Sequence, residues 1–296
     1  MKRGVIGSLI TMSVLVFLYM IVSWVVVDQS LVAKSKEITE YPSDYSLEYE
    51  SVSFSPFDDP SITLRGWWIP RQNSKGTIIW IHGLDSARDG NVEFLSSVHK
   101  AGYSLLAFDL RGHGESDKVT MGAGQHEQQD VLGAIRWAKQ QSPSSNIGLI
   151  GVSLGAAIAI LSGDNPDIKA IVADSSFASI PELIEEEVAA RTSIPAWGAA
   201  ILKPGIITAA KWFRDVDILT VNPAERIINI TYPVALIHCR ESERVPFTHA
   251  ERILANAPVG SPTLFLDACD HAEGWEKHRE QYTGFVFSYL NQRLNY

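Results

Sequence analysis

Three patterns of apolar and polar positions follow one another along this chain, and each predicts a different kind of element. From Gly4 to Val27 there is no charged residue, and a helix of that length rises far enough to cross a hydrocarbon core of ~30 Å. A cleaved signal peptide has a shorter apolar run of ~7–15 residues ending in small side chains. This run ends in Trp24-Val25-Val26-Val27, so it reads as an uncleaved transmembrane span. Period-two alternation then marks Leu47 to Phe54 and, after the turn residues Pro56 to Ser61, a strand-like Ile62 to Ile69. Together they predict an antiparallel opening hairpin.

Beyond Gly76 the chain changes to short apolar runs separated by helical periods. Thr77–Ile81, Ser104–Phe108, Ile147–Ile150, Ala170–Ala173, Val234–Ile237 and Thr263–Leu266 are continuous enough for strands buried on both faces. Helix candidates lie near Val92–Lys100, Asp130–Gln140, Leu154–Leu161, His249–Asn256 and Glu276–Gln292. Such alternation predicts an α/β fold with a mostly parallel sheet covered on both sides. From Phe177 to about Pro223 no strand is expected, only helical periods around Leu183–Ala190 and Ile206–Phe213, broken by Pro195 and Pro204. An insertion there lies over the carboxyl ends of the strands, where such sheets bind ligands. Its apolar residues, Trp197, Ile201, Leu202, Trp212 and Phe213 among them, either form a lid over a hydrophobic substrate or simply pack the insertion onto the sheet.

The expected organisation is therefore an anchor at 1–27, a polar stalk at 28–46 and a globular domain at 47–296 with its lid at about 177–223. Lys2 and Arg3 precede the span and Asp28 follows it. That bias leaves the N-terminus in the cytoplasm and the domain outside it. Composition narrows the partners. With 46% hydrophobic residues, 20% charged and a formal net charge of −9, the chain is too apolar for disorder and too acidic for a nucleic-acid surface. Contact with a membrane then depends on the helix and not on a basic patch.

Gly151-Val152-Ser153-Leu154-Gly155 matches G-x-S-x-G between a predicted strand and a predicted helix. A turn that sharp needs neighbours without side chains and presents Ser153 as a nucleophile at a helix N-terminus. His82-Gly83-Leu84 follows the strand Thr77–Ile81. The amides of Leu84 and Leu154 fit the two usual donors of an oxyanion hole, while His82 is expected to hold the loop.

Taken with Leu64-Arg65-Gly66-Trp67, Asp109-Leu110-Arg111-Gly112-His113-Gly114-Glu115-Ser116, Asp174-Ser175-Ser176-Phe177 and Val245-Pro246, these motifs resemble the α/β-hydrolase superfamily. Within it the chain is similar to the membrane-anchored, peptidase-like serine hydrolases, from about Leu47 onward. The resemblance implies the α/β-hydrolase fold, an order of nucleophile, acid and histidine along the chain, and His271, just after the last strand, as general base.

At the acid the chain departs from that pattern. Counting back from Val245-Pro246, Ser242 stands where the family has Asp and Cys239 where it has Gly. Glu241 and Glu243 flank Ser242 and are the expected acids, with Asp174 as a further candidate. In this fold the last two strands are parallel neighbours, which brings Cys239 and Cys269 within reach of a disulfide, although two buried free thiols fit as well. The expected function is a membrane-tethered serine hydrolase acting on an ester, thioester or amide of a small acyl, lipid-like substrate, with no metal or organic cofactor. A binding or scaffolding protein that kept the fold and lost its triad is the alternative, and Ser242 is what favours it.

Overall fold

A computed structural model describes residues 2–34 and 36–294. The continuous apolar runs become an eight-stranded sheet: β1 (Glu50–Phe54), β2 (Leu64–Ile69), β3 (Thr77–Ile81), β4 (Ser104–Phe108), β5 (Ile147–Val152), β6 (Ile168–Asp174), β7 (Ala235–Cys239) and β8 (Thr263–Leu266). Their order across the sheet is β1-β2-β4-β3-β5-β6-β7-β8. The opening hairpin β1–β2 and the β2–β4 pair are antiparallel, and every later pair is parallel. All five residues of β3 and of β4 are buried, as strands covered on both faces require. The expected α/β-hydrolase architecture is thus the observed one.

The helices are α1 (Lys2–Ser30), α2 (Val92–Lys100), α3 (Glu127–Gln141), α4 (Leu154–Leu161), α5 (Ile184–Arg191), α6 (Ala196–Arg214), α7 (Pro223–Arg226), α8 (Phe247–Asn256), α9 (Gly274–Lys277) and α10 (Arg279–Leu294). One core joins the sheet to α3, α4, α7 and α8, and a second, on the opposite face, joins it to α2, α9 and α10. A third, smaller core lies off the sheet. It unites the end of α1 (Val26, Val27, Leu31) with α5, α6 and Met121.

That third core alters two expectations. The described residues of 28–46 do not form a free polar stalk. The Leu31 carbonyl accepts the Met121 amide at 3.0 Å, and the amides of Lys34 and Thr39 donate to the carboxylates of Asp85 and Asp89 at 2.7 and 2.8 Å. A short 3₁₀ turn, Pro42–Tyr45, then leads to the buried Leu47. The donors are mainly backbone amides, which residues of any polarity carry, so composition does not separate a strap from a linker. The second expectation concerns Pro204, which does not break the lid, since α6 runs through it. A proline in a helix interior displaces the bonding of the turn before it. Here the hydroxyl of Tyr19 from α1 accepts the Gly205 amide at 3.0 Å and donates to the Ile201 carbonyl at 3.1 Å. One side chain of α1 thus inserts into the ladder and satisfies both groups.

Among the described residues one helix, Val5–Ser30, is long and apolar enough to cross a membrane. Its outer residues, from Val5 to Leu18, are largely exposed.

The carboxyl ends of β7 and β8 settle the question of the cysteines. Cys239 and Cys269 are disulfide-bonded with Cα atoms 5.5 Å apart. Closing a loop across a sequence separation of 30 residues stabilises a fold by about 3.6 kcal/mol in the chain-entropy picture. Alkylation of the denatured, unreduced protein should therefore label no cysteine, and after reduction both should be labelled, as read by intact mass. Two labels without reductant would rule the bond out.

Candidate active site

The β5–α4 turn is shaped by what cannot fit in it. A Cβ on Gly151 would lie 2.2 Å from the Gly155 carbonyl oxygen, and one on Gly155 would lie 2.1 Å from that of Ile81. Only glycine is compatible with backbones this close. Between them Ser153 takes φ 55° and ψ −116°, a region costly for any residue with a side chain. Its amide is held by the Asp174 carbonyl at 2.8 Å. The strained turn lifts Oγ to the end of the sheet, beside Gly83, where an added Cβ would meet the Ser153 Cβ at 3.4 Å.

His271, on the loop after β8, points its Nε2 at Ser153 Oγ from 2.8 Å. Its Nδ1 faces Ser242 Oγ at 3.3 Å. Ser242 is 5% exposed and also receives the Val245 amide at 3.3 Å. Glu241 and Glu243, expected to supply the acid, are both exposed, and neither carboxylate is hydrogen-bonded to the imidazole. The register that places Ser242 in the family's acid position is kept in space, so its neighbours face solvent. The Glu243 amide donates to Asp270 Oδ1 at 2.9 Å. The same carboxylate accepts the His271 amide at 2.6 Å, and these two backbone bonds hold Asp270 below the usual carboxylate range.

Asp174 does not reach the imidazole either. Its carboxylate accepts from Ser175 Oγ at 2.9 Å and from the Tyr282 hydroxyl at 2.9 Å. Burial pushes that carboxyl up to about 6 against both hydrogen bonds. Ser175 Oγ in turn receives the amide of Ala272 at 3.2 Å, so the buried carboxylate steadies the loop that carries His271 through one intermediate.

Electrostatics at His271 follow from the missing acid. Burial, reinforced by Arg244 and His238 and opposed only by Asp270, lowers its pKa to about 4. Arg244 is itself paired with Glu187 of α5 at 2.8 Å. His82 plays a different part. Its Nε2 accepts the Leu110 amide at 3.1 Å and its Nδ1 donates to the Gly83 carbonyl at 2.7 Å. Burial, with His113 adding to it, depresses it to about 3. It is a neutral brace for the loop carrying Leu84. The amides of Leu84 and Leu154 meet no acceptor among the described residues and flank Ser153.

Two spaces of opposite character meet at Ser153. Beneath the lid is an apolar cavity of about 110 Å³, reached by Leu84, Leu154, Phe177, Ile206 and Val245. On the other side an open polar cleft of about 950 Å³ contains His271, Arg244, Lys36, Glu37 and Arg279. The wall residues that come from outside the insertion, Val27 of α1 and Leu31 just after it among them, carried no signal in the sequence beyond their hydrophobicity.

The sequence pattern of one family, described as serine aminopeptidase, S33, matches residues 72–225, from β3 through the lid. Among curated relatives, YqkD of Bacillus subtilis is 24% identical over 265 residues, covering 86% of this chain and 85% of its own. The lysophosphatidylserine lipase ABHD12 of Danio rerio is 26% identical over 196 residues, 62% of this chain and 47% of that protein. Among solved structures, the esterase Pf2001 of Pyrococcus furiosus superposes with a TM-score of 0.73 at 25% identity, over 88% of this chain and 98% of that one.

The low proton affinity of His271 can be measured directly. NMR titration of the imidazole should place its pKa at about 4. A carboxylate at position 242 would favour the protonated ring, so in Ser242→Asp the midpoint should rise by at least one unit. An unchanged midpoint would show that residue 242 does not sense the imidazole.

Proposed function

The chain belongs to the serine aminopeptidase S33 family of α/β hydrolases, and from that premise we propose that it is a membrane-tethered serine hydrolase. It would open an acyl ester through an acyl-enzyme on Ser153. The observation that carries the reading is the 2.8 Å contact of His271 Nε2 with Ser153 Oγ, made where an apolar cavity meets a polar cleft.

In the proposed reaction the acyl chain lies in the cavity and the polar alcohol in the cleft. Ser153 Oγ attacks the carbonyl carbon while His271 Nε2 takes its proton, and the amides of Leu84 and Leu154 receive the oxyanion. His271 then returns the proton to the departing alcohol. Water, activated by the same imidazole, releases the acid. For Nε2 to be the acceptor, Nδ1 must carry the ring's other hydrogen, and Ser242 Oγ is the acceptor placed for it. A hydroxyl orients the ring but stabilises imidazolium less than a carboxylate would, so this is a weaker base than one paired with Asp.

An uncharged helix of membrane-crossing length supports the tether. Lys2 and Arg3 before it and a disulfide in the domain support an extracytoplasmic location. An esterase and a lipase among the similar proteins favour esters over peptides. The second reading, a binding protein with a degenerate triad, is favoured only by Ser242 in the acid position.

A fluorophosphonate probe separates the two. It should form one adduct on Ser153 of the full-length protein, and Ser153→Ala should abolish both the adduct and the hydrolysis of p-nitrophenyl esters. Labelling that persists in Ser153→Ala, or wild-type protein that neither labels nor turns over ester, would overturn the hydrolase reading. The rate should fall as pH drops through about 4, where the imidazole becomes protonated.

A further inference from the structure

The cavity beneath the lid is not closed by the hydrolase domain alone. Val27, Ser30 and Leu31, at the end of α1, form part of its wall together with Ile184 and Val188 of α5 and Ile206 of α6. Val27 and Leu31 are 2% and 6% exposed, so they are built into the fold as core. Arg191, in the last turn of α5, clamps this end of α1. Its Nε and Nη2 donate to the carbonyls of Ser30 and Val32 at 3.1 and 2.6 Å, and its Nη1 donates to Asp85 at 2.7 Å. Asp85 directly follows Leu84 of the oxyanion loop. The membrane helix, the lid and the loop beside Ser153 are thus joined at one ion pair.

Lid helix α6 continues from this knot along α1. Gly205 permits the approach, since a Cβ there would lie 2.2 Å from Ser23 Oγ and 2.5 Å from the Tyr19 ring. The helices run side by side from Tyr19 beside Ile201 to Asp28, which is ion-paired with Arg214. Charges and aromatic rings mark a level on this pair. Trp24 packs on Phe213 with ring centroids 6.2 Å apart, Trp212 is exposed, and Asp28, Lys211 and Arg214 stand at the same end. Aromatic rings followed by charges are the signature of a membrane–water boundary. From Arg214 back to Ile201 is roughly 20 Å at 1.5 Å per residue. Along α6, from Ala196 to the belt at Trp212, the outer face is apolar, with Trp197 72% and Ile201 64% exposed. Between Ala196 and Lys211 the only charged side chain, Lys203, is neutralised by Glu185 of α5 at 3.0 Å. An apolar face this open has no stable place in water beside a membrane-crossing helix.

We propose that α6 lies in the bilayer against α1, that the two helices form the membrane-side wall of the acyl site, and that the chain of a single-chain membrane ester enters the cavity from the leaflet. This rests on the hydrolase reading above and goes further by making α1 part of the substrate site. The occupant is one acyl chain, because the cavity is narrow and apolar, while the polar cleft takes the head group on the aqueous side of Ser153. Hydrocarbon then passes from the bilayer to the cavity without being exposed to water.

The test uses full-length protein in vesicles of diether phosphatidylcholine and a long-chain alkyl fluorophosphonate with a diazirine near the chain's end. After reaction and irradiation, peptide mapping should find the phosphonate on Ser153 and the photo-crosslink on α1 between Val27 and Leu31 or on the facing turn of α6. A Ser153 adduct whose crosslinks fall only on cleft residues such as Trp275 overturns this proposal and leaves the hydrolase reading standing. No adduct on Ser153 overturns both. In a second arm the double variant Trp197→Glu/Ile201→Glu, altered only on the outer face, is compared with wild type on monooleoylglycerol held in the vesicles and on soluble p-nitrophenyl acetate. The ratio of the two rates should fall at least tenfold. A ratio within twofold of wild type would exclude access from the leaflet.

Discussion

The close approach of three backbones around Ser153 is the constraint on which the site depends. β5 must turn into α4 within a single residue, and the turn must clear the end of β3. Cβ atoms at Gly151 or Gly155 would overlap carbonyl oxygens near 2 Å, so the pentapeptide is a statement about excluded volume before it is one about chemistry. The strain at Ser153 is held by the parallel pairing of β5 with β3 and β6. The neutral His82 braces the adjoining loop, so that the Leu84 amide stands free beside Ser153.

A second centre of organisation lies above the sheet, where Arg191 and Asp85 bind the end of α1, helix α5 and the loop carrying Leu84 together. Arg191 is 5% exposed and Asp85 25%. An ion pair this sheltered, with backbone carbonyls taking the remaining guanidinium donors, is screened far less than a surface pair. Its effect is geometric. The helix that a hydropathy reading treats as a tether ends inside the domain, and its last turn borders the same cavity as the proposed nucleophile.

The region of the acid shows how a departure from the family pattern is accommodated. With Ser242 in place of a carboxylate, His271 has a poorer partner and a depressed proton affinity. Around it the loops are held firmly. Asp270 gathers the amides of Glu243 and His271, Asp174 acts through Ser175 on Ala272, and the Cys239–Cys269 bond joins the ends of β7 and β8. None of these contacts supplies charge to Nδ1. They fix where the imidazole sits.

The sequence by itself determined what is local or repeats at short range. The strands were legible because burial on both faces demands continuous apolar runs, the elbow because two glycines and a serine must occupy five adjacent positions, and α1 because a long uncharged apolar run has the length of a membrane-crossing helix. The position of the helical insertion followed from the interval without strands. The register counted back from Val245-Pro246 already put Ser242 in the acid's position, and only the tertiary structure decided that neither flanking glutamate turns in to replace it, since that depends on the path of one turn. The same holds for residues 28–46, whose polarity suits a solvated linker as well as a strap bonded to Asp85 and Asp89. Pro204, a helix breaker by local chemistry, stays inside α6 because Tyr19, 185 residues earlier in the chain, fills the gap it leaves. Contacts between segments so distant depend on packing geometry, and that is a property of the tertiary structure alone.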